Sequence, residues 1–181
     1  MRKLTVAEFI SLDGVVEAPE TWHFPYVDEE LMGAVQASGA AMDTMLLGRV
    51  TYQTFAGAFA DAPADDPVAA SMNRPEKVVV SSTLRDPSWG PVTVLDGDVV
   101  AGIRALKERP GGDILTTGSV SLVRTMLAAG LVDELQLMIH PLAVGSGRRL
   151  FEESGPRVPL TLSRADVFAS GVVNAIYTPA G

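Results

Sequence analysis

The 181-residue chain is 47% hydrophobic and 20% charged, with a net charge of -8. That composition suits one globular domain with a sizeable core; it excludes disorder and the basic face that a large nucleic-acid footprint needs. With no cysteine, a disulfide framework and a thiolate metal site are excluded, and a reducing, cytoplasmic setting is expected.

In chain order, Leu4–Ile10 reads as the first strand. Glu8 and Asp13 come too early for a signal peptide, and no apolar run approaches the ~20 residues needed to cross a bilayer. The next segment, Val15 to Glu30, holds Trp22, His23, Phe24 and Tyr26. Aromatics gathered in a loop fit either a lid packed over the core or a ligand contact. Val27, Leu31 and Val35 then share one helical face, with Asp28, Glu29 and Glu30 in the first turn and Gly39 as the stop. Met45–Leu47 is a strand that ends at Gly48, and a helix starts at Arg49.

Gly57–Ser71, rich in Ala, Asp and Pro, reads as a surface loop with a short helix from Pro67. Lys77–Val80 and Val92–Leu95 are strands. Val99, Ile103 and Leu106 mark a helix capped by Asp96 or Asp98 and ended by Pro110-Gly111-Gly112. After the strand Ile114–Thr116 comes a helix on Leu122, Met126 and Ala129, with Ser119 as its cap and Gly130 as its terminator. Only strands follow: Leu135–Ile139, Leu160–Phe168 and Val172–Tyr177. Pro141–Phe151, with Arg148 and Arg149, reads as a hairpin connection with solvated cations. The alternation predicts an α/β domain over residues 1–181, with a mostly parallel sheet, helices on both faces and an antiparallel C-terminal edge.

Ligands of open α/β sheets bind beyond the C-terminal ends of the strands. Three candidate turns lie there. Gly48 permits close backbone approach, Arg49 can fork onto a phosphate, and Thr51 can donate a hydrogen bond to one. Ser81-Ser82 follows the third strand and reads either as a ribose or phosphate contact or as an ordinary turn. Thr116-Thr117-Gly118-Ser119 offers a second phosphate cradle. Together the three turns point to an extended anionic ligand such as a dinucleotide. GxGxxG, GxxxxGK[ST] and GxSxG are all absent. His23 and His140 are the only histidines; His140, before Pro141, reads as structural, and no metal site is expected.

The segments "SLDG" (Ser11 to Gly14), "LLGRVTY", "VVVSS", "TTGSVSLVRTMLAAGLVDEL" and "HPLAVGSGRRLF" resemble, in this order, the dihydrofolate-reductase-like superfamily. They are most similar to the reductase domain of riboflavin biosynthesis and its stand-alone relatives. The resemblance covers nearly the whole chain. It implies an eight-stranded sheet, NADPH as hydride donor and a homodimer. It carries cofactor binding to Gly48, Arg49, Thr51, Ser81, Ser82, Gly118 and Ser119. It also implies Asp28 as a proton relay, where the alternative is a plain helix N-terminal charge. Asp13 is the second catalytic candidate, and Trp22 and Phe24 would stand beside it at the substrate.

Three departures from the family pattern stand out. Val6-Ala7-Glu8-Phe9 replaces a stretch that carries a lysine in riboflavin reductases, Gly118-Ser119 replaces a glycine pair, and Val120-Ser121 stand where those reductases carry an acid. The expected function is therefore an NADPH-dependent reductase of a small heterocycle. A non-catalytic nucleotide- or ligand-binding protein on the same fold is the alternative.

Overall fold

All eight apolar runs become strands, and the computed structural model, which describes residues 1–63 and 65–180, joins them in one sheet. The elements in chain order are β1 (Leu4–Ser11), α1 (Glu29–Gly39), β2 (Met42–Gly48), α2 (Arg49–Phe59), α3 (Pro67–Asn73), β3 (Glu76–Val80), β4 (Val92–Leu95), α4 (Val99–Glu108), β5 (Asp113–Thr116), α5 (Val120–Ala128), β6 (Glu134–His140), β7 (Leu160–Val167) and β8 (Val173–Pro179). The sheet order is β4-β3-β2-β5-β1-β6-β8-β7. The first six strands pair in parallel, and β8 and β7 complete the sheet as an antiparallel edge.

Alternation along β1 sets the two cores. Leu4, Val6 and Ile10 face α4 and α5, where Ile103, Leu106, Val123 and Met126 meet them. Ala7 and Phe9 face the other side, among Leu31 of α1, Tyr52 of α2 and Met72 of α3. Each fully buried large aliphatic side chain contributes about 1.5–3 kcal/mol, so strands apolar on both faces hold the three layers together. β6 belongs to this class. Its Leu135 and Leu137 are buried on one side, and Gln136 and Met138 on the other. Met138 packs in the cluster that contains Leu31, Phe168 and Val172 of the same chain. Burial of β6 on both faces therefore needs no partner subunit.

Three helices begin with an aspartate cap. Asp28 Oδ1 accepts from the Leu31 amide at 2.8 Å, Asp66 from those of Val68 and Ala69, and Asp98, not Asp96, from that of Ala101. Two readings of the sequence need correction. Gly57 to Phe59 continue α2 and are not loop; Ala64, inside the expected loop, lies outside the described residues, as does Gly181. Pro141–Phe151 is not a hairpin connection, because β6 pairs with β8 and not with β7. Its arginines are not both solvated either: Arg149 Nε donates to the Asp13 carbonyl at 2.8 Å.

Candidate active site

The sheet order brings the candidate turns into a row. Ser81-Ser82 ends β3, Gly48-Arg49 ends β2, Thr117-Gly118-Ser119 ends β5, and Phe9 to Ser11 and His140 end β1 and β6. Four strand-to-strand steps of about 4.8 Å give a span of roughly 19 Å, which suits an extended dinucleotide.

The centre of the row is built from backbone. α2 starts at Gly48 and α5 at Ser119, and neither start carries a side-chain cap, in contrast to the aspartates of α1, α3 and α4. β2 and β5 are neighbours, so two sets of free N–H groups and two positive dipole ends sit side by side. The two turns touch. A Cβ on Gly48 would lie 2.2 Å from Ser119 Oγ, and one on Gly118, whose φ is +112°, would lie 3.1 Å from Thr51 Oγ1. The Gly118–Ser119 peptide is cis. Ser119 Oγ lies 3.4 Å from Ser121 Oγ, and Thr117 Oγ1 is buried without a partner. Arg49 is exposed and donates only along its own helix, to Gln53 at 2.9 Å. These groups fit phosphates: unpaired amides, an available guanidinium and a buried hydroxyl lacking an acceptor.

At the β3 end, the Ser81 oxygen accepts from the amides of Thr83 and Leu84 at 3.1 and 2.9 Å. It therefore holds the turn, and its own O–H remains to donate. Ser82 is exposed.

The far end is built from side chains. His140 is fully buried at the end of β6, with Phe9, Trp22 and Tyr26 rings packed edge-on at 5.2 to 5.6 Å. His23 stacks on Phe9 at 4.8 Å, and the 65% exposed Phe24 lies against His23 at 4.2 Å. His140 Nδ1 meets the Met138 carbonyl at 2.8 Å, which makes that nitrogen the donor and leaves Nε2 as an acceptor. His140 Nε2 and His23 Nδ1 are both buried without partners. Burial pushes the pKa of each ring below the ordinary histidine value, so both are neutral near pH 7. Trp22 is 8% exposed, and its ring and that of His23 fill the space over Phe9 and His140.

The two aspartates singled out in the sequence serve the framework. Asp13 accepts from the Ser11 hydroxyl at 2.6 Å and the amides of Val144 and Gly145 at 3.0 and 2.8 Å. These bonds, that of Ser11 first, hold its pKa down at about 2. Asp28 caps α1 and also accepts from the Ser170 amide at 3.1 Å; its pKa is lowered, first by the Leu31 amide. Both are ionised at neutral pH with their oxygens engaged. Sequence reasoning missed the two imidazoles' open nitrogens and Glu8, a buried carboxyl on β1. The only signal for Glu8 was an acid inside an apolar strand run. A separate concavity of about 720 Å³ between α1 and the antiparallel edge is lined by Glu30, Glu134, Arg164 and Asp166. Arg164 is paired with Asp166 there, which leaves no free cation for a phosphate, so the strand-end row is the better candidate.

The family model for the RibD C-terminal domain matches residues 2–174. The uncharacterized protein YyaP of Bacillus subtilis (strain 168) is 30% identical over 139 residues, which cover 75% of this chain and 73% of that protein. A putative riboflavin biosynthesis protein from Shewanella sp. PV-4 is similar at a TM-score of 0.75, with 19% identity and 100% of both chains covered. Dihydrofolate reductase from Enterococcus faecalis, complexed with NADP(H) and RAB-propyl, is similar at 0.67, with 16% identity over 99% of this chain and 97% of that one. At these identities the two solved structures establish the fold, which is dihydrofolate-reductase-like.

Proposed function

Because this chain belongs to the RibD C-terminal domain family, we propose that it is an NADPH-dependent reductase of a small heterocyclic substrate. The observation that carries the proposal is the pair of uncapped helix starts, α2 and α5, side by side at the ends of β2 and β5. Cofactor phosphates would lie on the amides of these turns. Arg49 and Thr51 would bind from one side, Gly118 and Ser119 from the other, and Ser81-Ser82 would meet the adenosine half. When bound, the cofactor supplies the hydride, and the protein supplies position and electrostatics.

The substrate would displace or slide beneath Trp22, His23 and Phe24, over Phe9 and His140. The neutral imidazoles there offer acceptors for N–H or O–H donors. The lysine usual in riboflavin reductases is missing from Val6 to Phe9, and Arg149 is tied to Asp13. A neutral planar heterocycle therefore suits this end better than a phosphoribosyl compound. Asp28 and Asp13 act as positioning groups: ionised and already hydrogen-bonded, they hold α1 and the 144–149 segment in place and do not donate protons.

One observation favours the alternative, a nucleotide-binding protein without catalysis: aromatic rings fill the substrate end. A structure with NADPH bound separates the two readings, since catalysis requires open space beside the reactive ring carbon. The cofactor assignment is tested by titrating NADPH fluorescence. Arg49→Ala should lose about 1.5–3 kcal/mol, roughly 10- to 150-fold, and unchanged affinity in the folded variant would refute it.

The homodimer implied by the family would use the β7 edge, where Leu162 and Val167 are 53% and 73% exposed. Sedimentation at micromolar concentration should then give twice the chain mass, and a monomer mass would end that proposal. Among the described residues no helix is long and apolar enough to cross a membrane; a cytoplasmic location is part of this proposal.

A further inference from the structure

Glu8 is the only carboxyl side chain among the described residues that is buried to 7% exposure. Its Oε1 is sealed and has no hydrogen-bond partner. A buried acid with no answering group is costly unless it keeps its proton or meets a ligand. Burial alone pushes its pKa up to about 8, so near pH 7 the group is a neutral acid with an O–H donor beside a C=O acceptor.

Its place on the sheet says which ligand it could meet. β1 pairs with β5 from Leu4↔Ile114 only as far as Val6↔Thr116. On its other side β1 stays paired with β6 as far as Ser11↔His140. Past Val6, therefore, the β5 side of β1 borders the Thr117-Gly118-Ser119 turn and not a strand, which leaves a notch in the hydrogen-bonded ladder. Glu8 is two residues beyond the last pair, level with Gly118 by register, on the side of α4 and α5 together with Val6 and Ile10. The charged side chains on those two helices that approach the core are committed elsewhere. Lys107 bonds to the Leu131 carbonyl and Asp133. Arg124 bonds to the carbonyls of Leu150 and Arg149 and pairs with Glu152.

The notch lies between the phosphate cradle at β2 and β5 and the aromatic cluster at β1 and β6. With phosphates on one and substrate on the other, the reactive ring of the cofactor has to occupy the stretch between them. We propose that Glu8 is a cofactor-recognition residue, whose carboxylic acid pairs by its O–H and C=O with the primary carboxamide of the nicotinamide ring in this notch. The assignment rests on the nicotinamide-cofactor reading above. A neutral acid and a carboxamide match at two points, donor to acceptor and acceptor to donor. A ketone in place of the carboxamide keeps the acceptor and loses the donor. Glutamine in place of Glu8 keeps both halves of the match, and leucine keeps neither.

The test is equilibrium binding near pH 7, by calorimetry, of NADPH, its 3-acetylpyridine analogue and 2′,5′-ADP, which has no nicotinamide. The wild-type protein should prefer NADPH to the acetyl analogue by about tenfold, the scale of one buried hydrogen bond. Glu8→Leu should weaken NADPH by about tenfold or more and bring that preference to near one, whereas Glu8→Gln should retain it. All three proteins should bind 2′,5′-ADP alike. Equal wild-type affinity for the two dinucleotides overturns the assignment, and because that measurement needs no variant, a Glu8→Leu protein that fails to fold leaves the test intact. Absence of wild-type binding to both NADPH and 2′,5′-ADP would overturn the cofactor reading itself, and the Glu8 assignment with it.

Discussion

The two ends of the candidate site are made of different material. At β2 and β5 the site is backbone: two helix starts, two glycines and a contact in which Ser119 fills the place of a missing Gly48 Cβ. At β1 and β6 it is side chain: six rings from a loop and two strands, with two buried nitrogens left open. Backbone donors are in position before a ligand arrives, so little reorganisation accompanies binding there. Stacked rings in a loop must move to admit one. The first end therefore reads as a built cradle and the second as a closed lid, and the variants below ask whether that distinction holds.

The largest effect is expected where neither material answers a charge. Burial raises the Glu8 pKa from 4.5 to about 8. The folded protein thus holds a proton that the unfolded chain releases between these values, and the stability Glu8 permits is complete below pH 4.5 and is lost as pH rises to 8. A Glu8→Gln variant does not titrate. Its stability relative to the wild type should grow by about 1.4 kcal/mol per pH unit across that window, roughly 3–5 kcal/mol in all. Urea unfolding of the ligand-free proteins at pH 5, 6, 7 and 8 measures it. A pH-independent difference would mean that a partner compensates Glu8, and the notch would then belong with the built cradle.

Gly48→Ala comes next. The new methyl would stand 2.2 Å from Ser119 Oγ and 2.9 Å from its Cβ, so the two turns must separate. Overpacking of this kind costs about 1–3 kcal/mol, and NADPH affinity should fall by a similar amount. Adding Ser119→Gly removes the colliding atoms and should return most of the loss, a coupling that a double-mutant cycle reads directly. Gly33→Ala, on α1 with nothing within 4 Å of the new Cβ, is the control and should stabilise by about 0.4–1 kcal/mol. If Gly48→Ala binds NADPH as the wild type does, the cradle is adaptable and the contrast between the two ends disappears.

The same contrast decides what could be read from the sequence. The strands were legible because each is a short apolar run between turn residues, and α1, α4 and α5 because their apolar period ends in a cap or a glycine. The close approach of the β2 and β5 turns was legible for a related reason. Gly48 and Gly118 mark backbone approach whatever surrounds them, and Arg49 follows a strand end directly. Side-chain states were not legible. An aspartate in "SLDG" looks the same whether free or bonded to the amides of Val144 and Gly145, which lie about 130 residues away in sequence. The Nε2 of His140 is open because Nδ1 is taken by Met138 and the rings around it are carbon-edged, an arrangement of distant segments. Nor does the sequence say that Met138 of β6 is covered by Leu31, Phe168 and Val172, which come from distant segments of the chain.

The smallest effect on stability, and the most direct probe of the lid, is expected from Phe24→Ala. Phe24 is 65% exposed, so its truncation should change stability by no more than about 0.5 kcal/mol. Its ring nevertheless closes a stack: Phe24 covers His23 at 4.2 Å, and His23 covers Phe9 at 4.8 Å. Burial is the first cause of the lowered His23 pKa, followed by the neighbouring His140. Removing the outer ring lets water reach His23, and its pKa should rise toward the ordinary histidine value. His140 lies deeper, fully buried beneath Trp22, Tyr26 and Phe9, and should not move. Proton NMR of the two imidazoles across pH 4 to 8 resolves both. A His23 that rises alone describes a lid hinged on one exposed ring. Unchanged titration of both rings would mean that the stack is held from below by Phe9 and Trp22, and the substrate end would then be as fixed as the cradle.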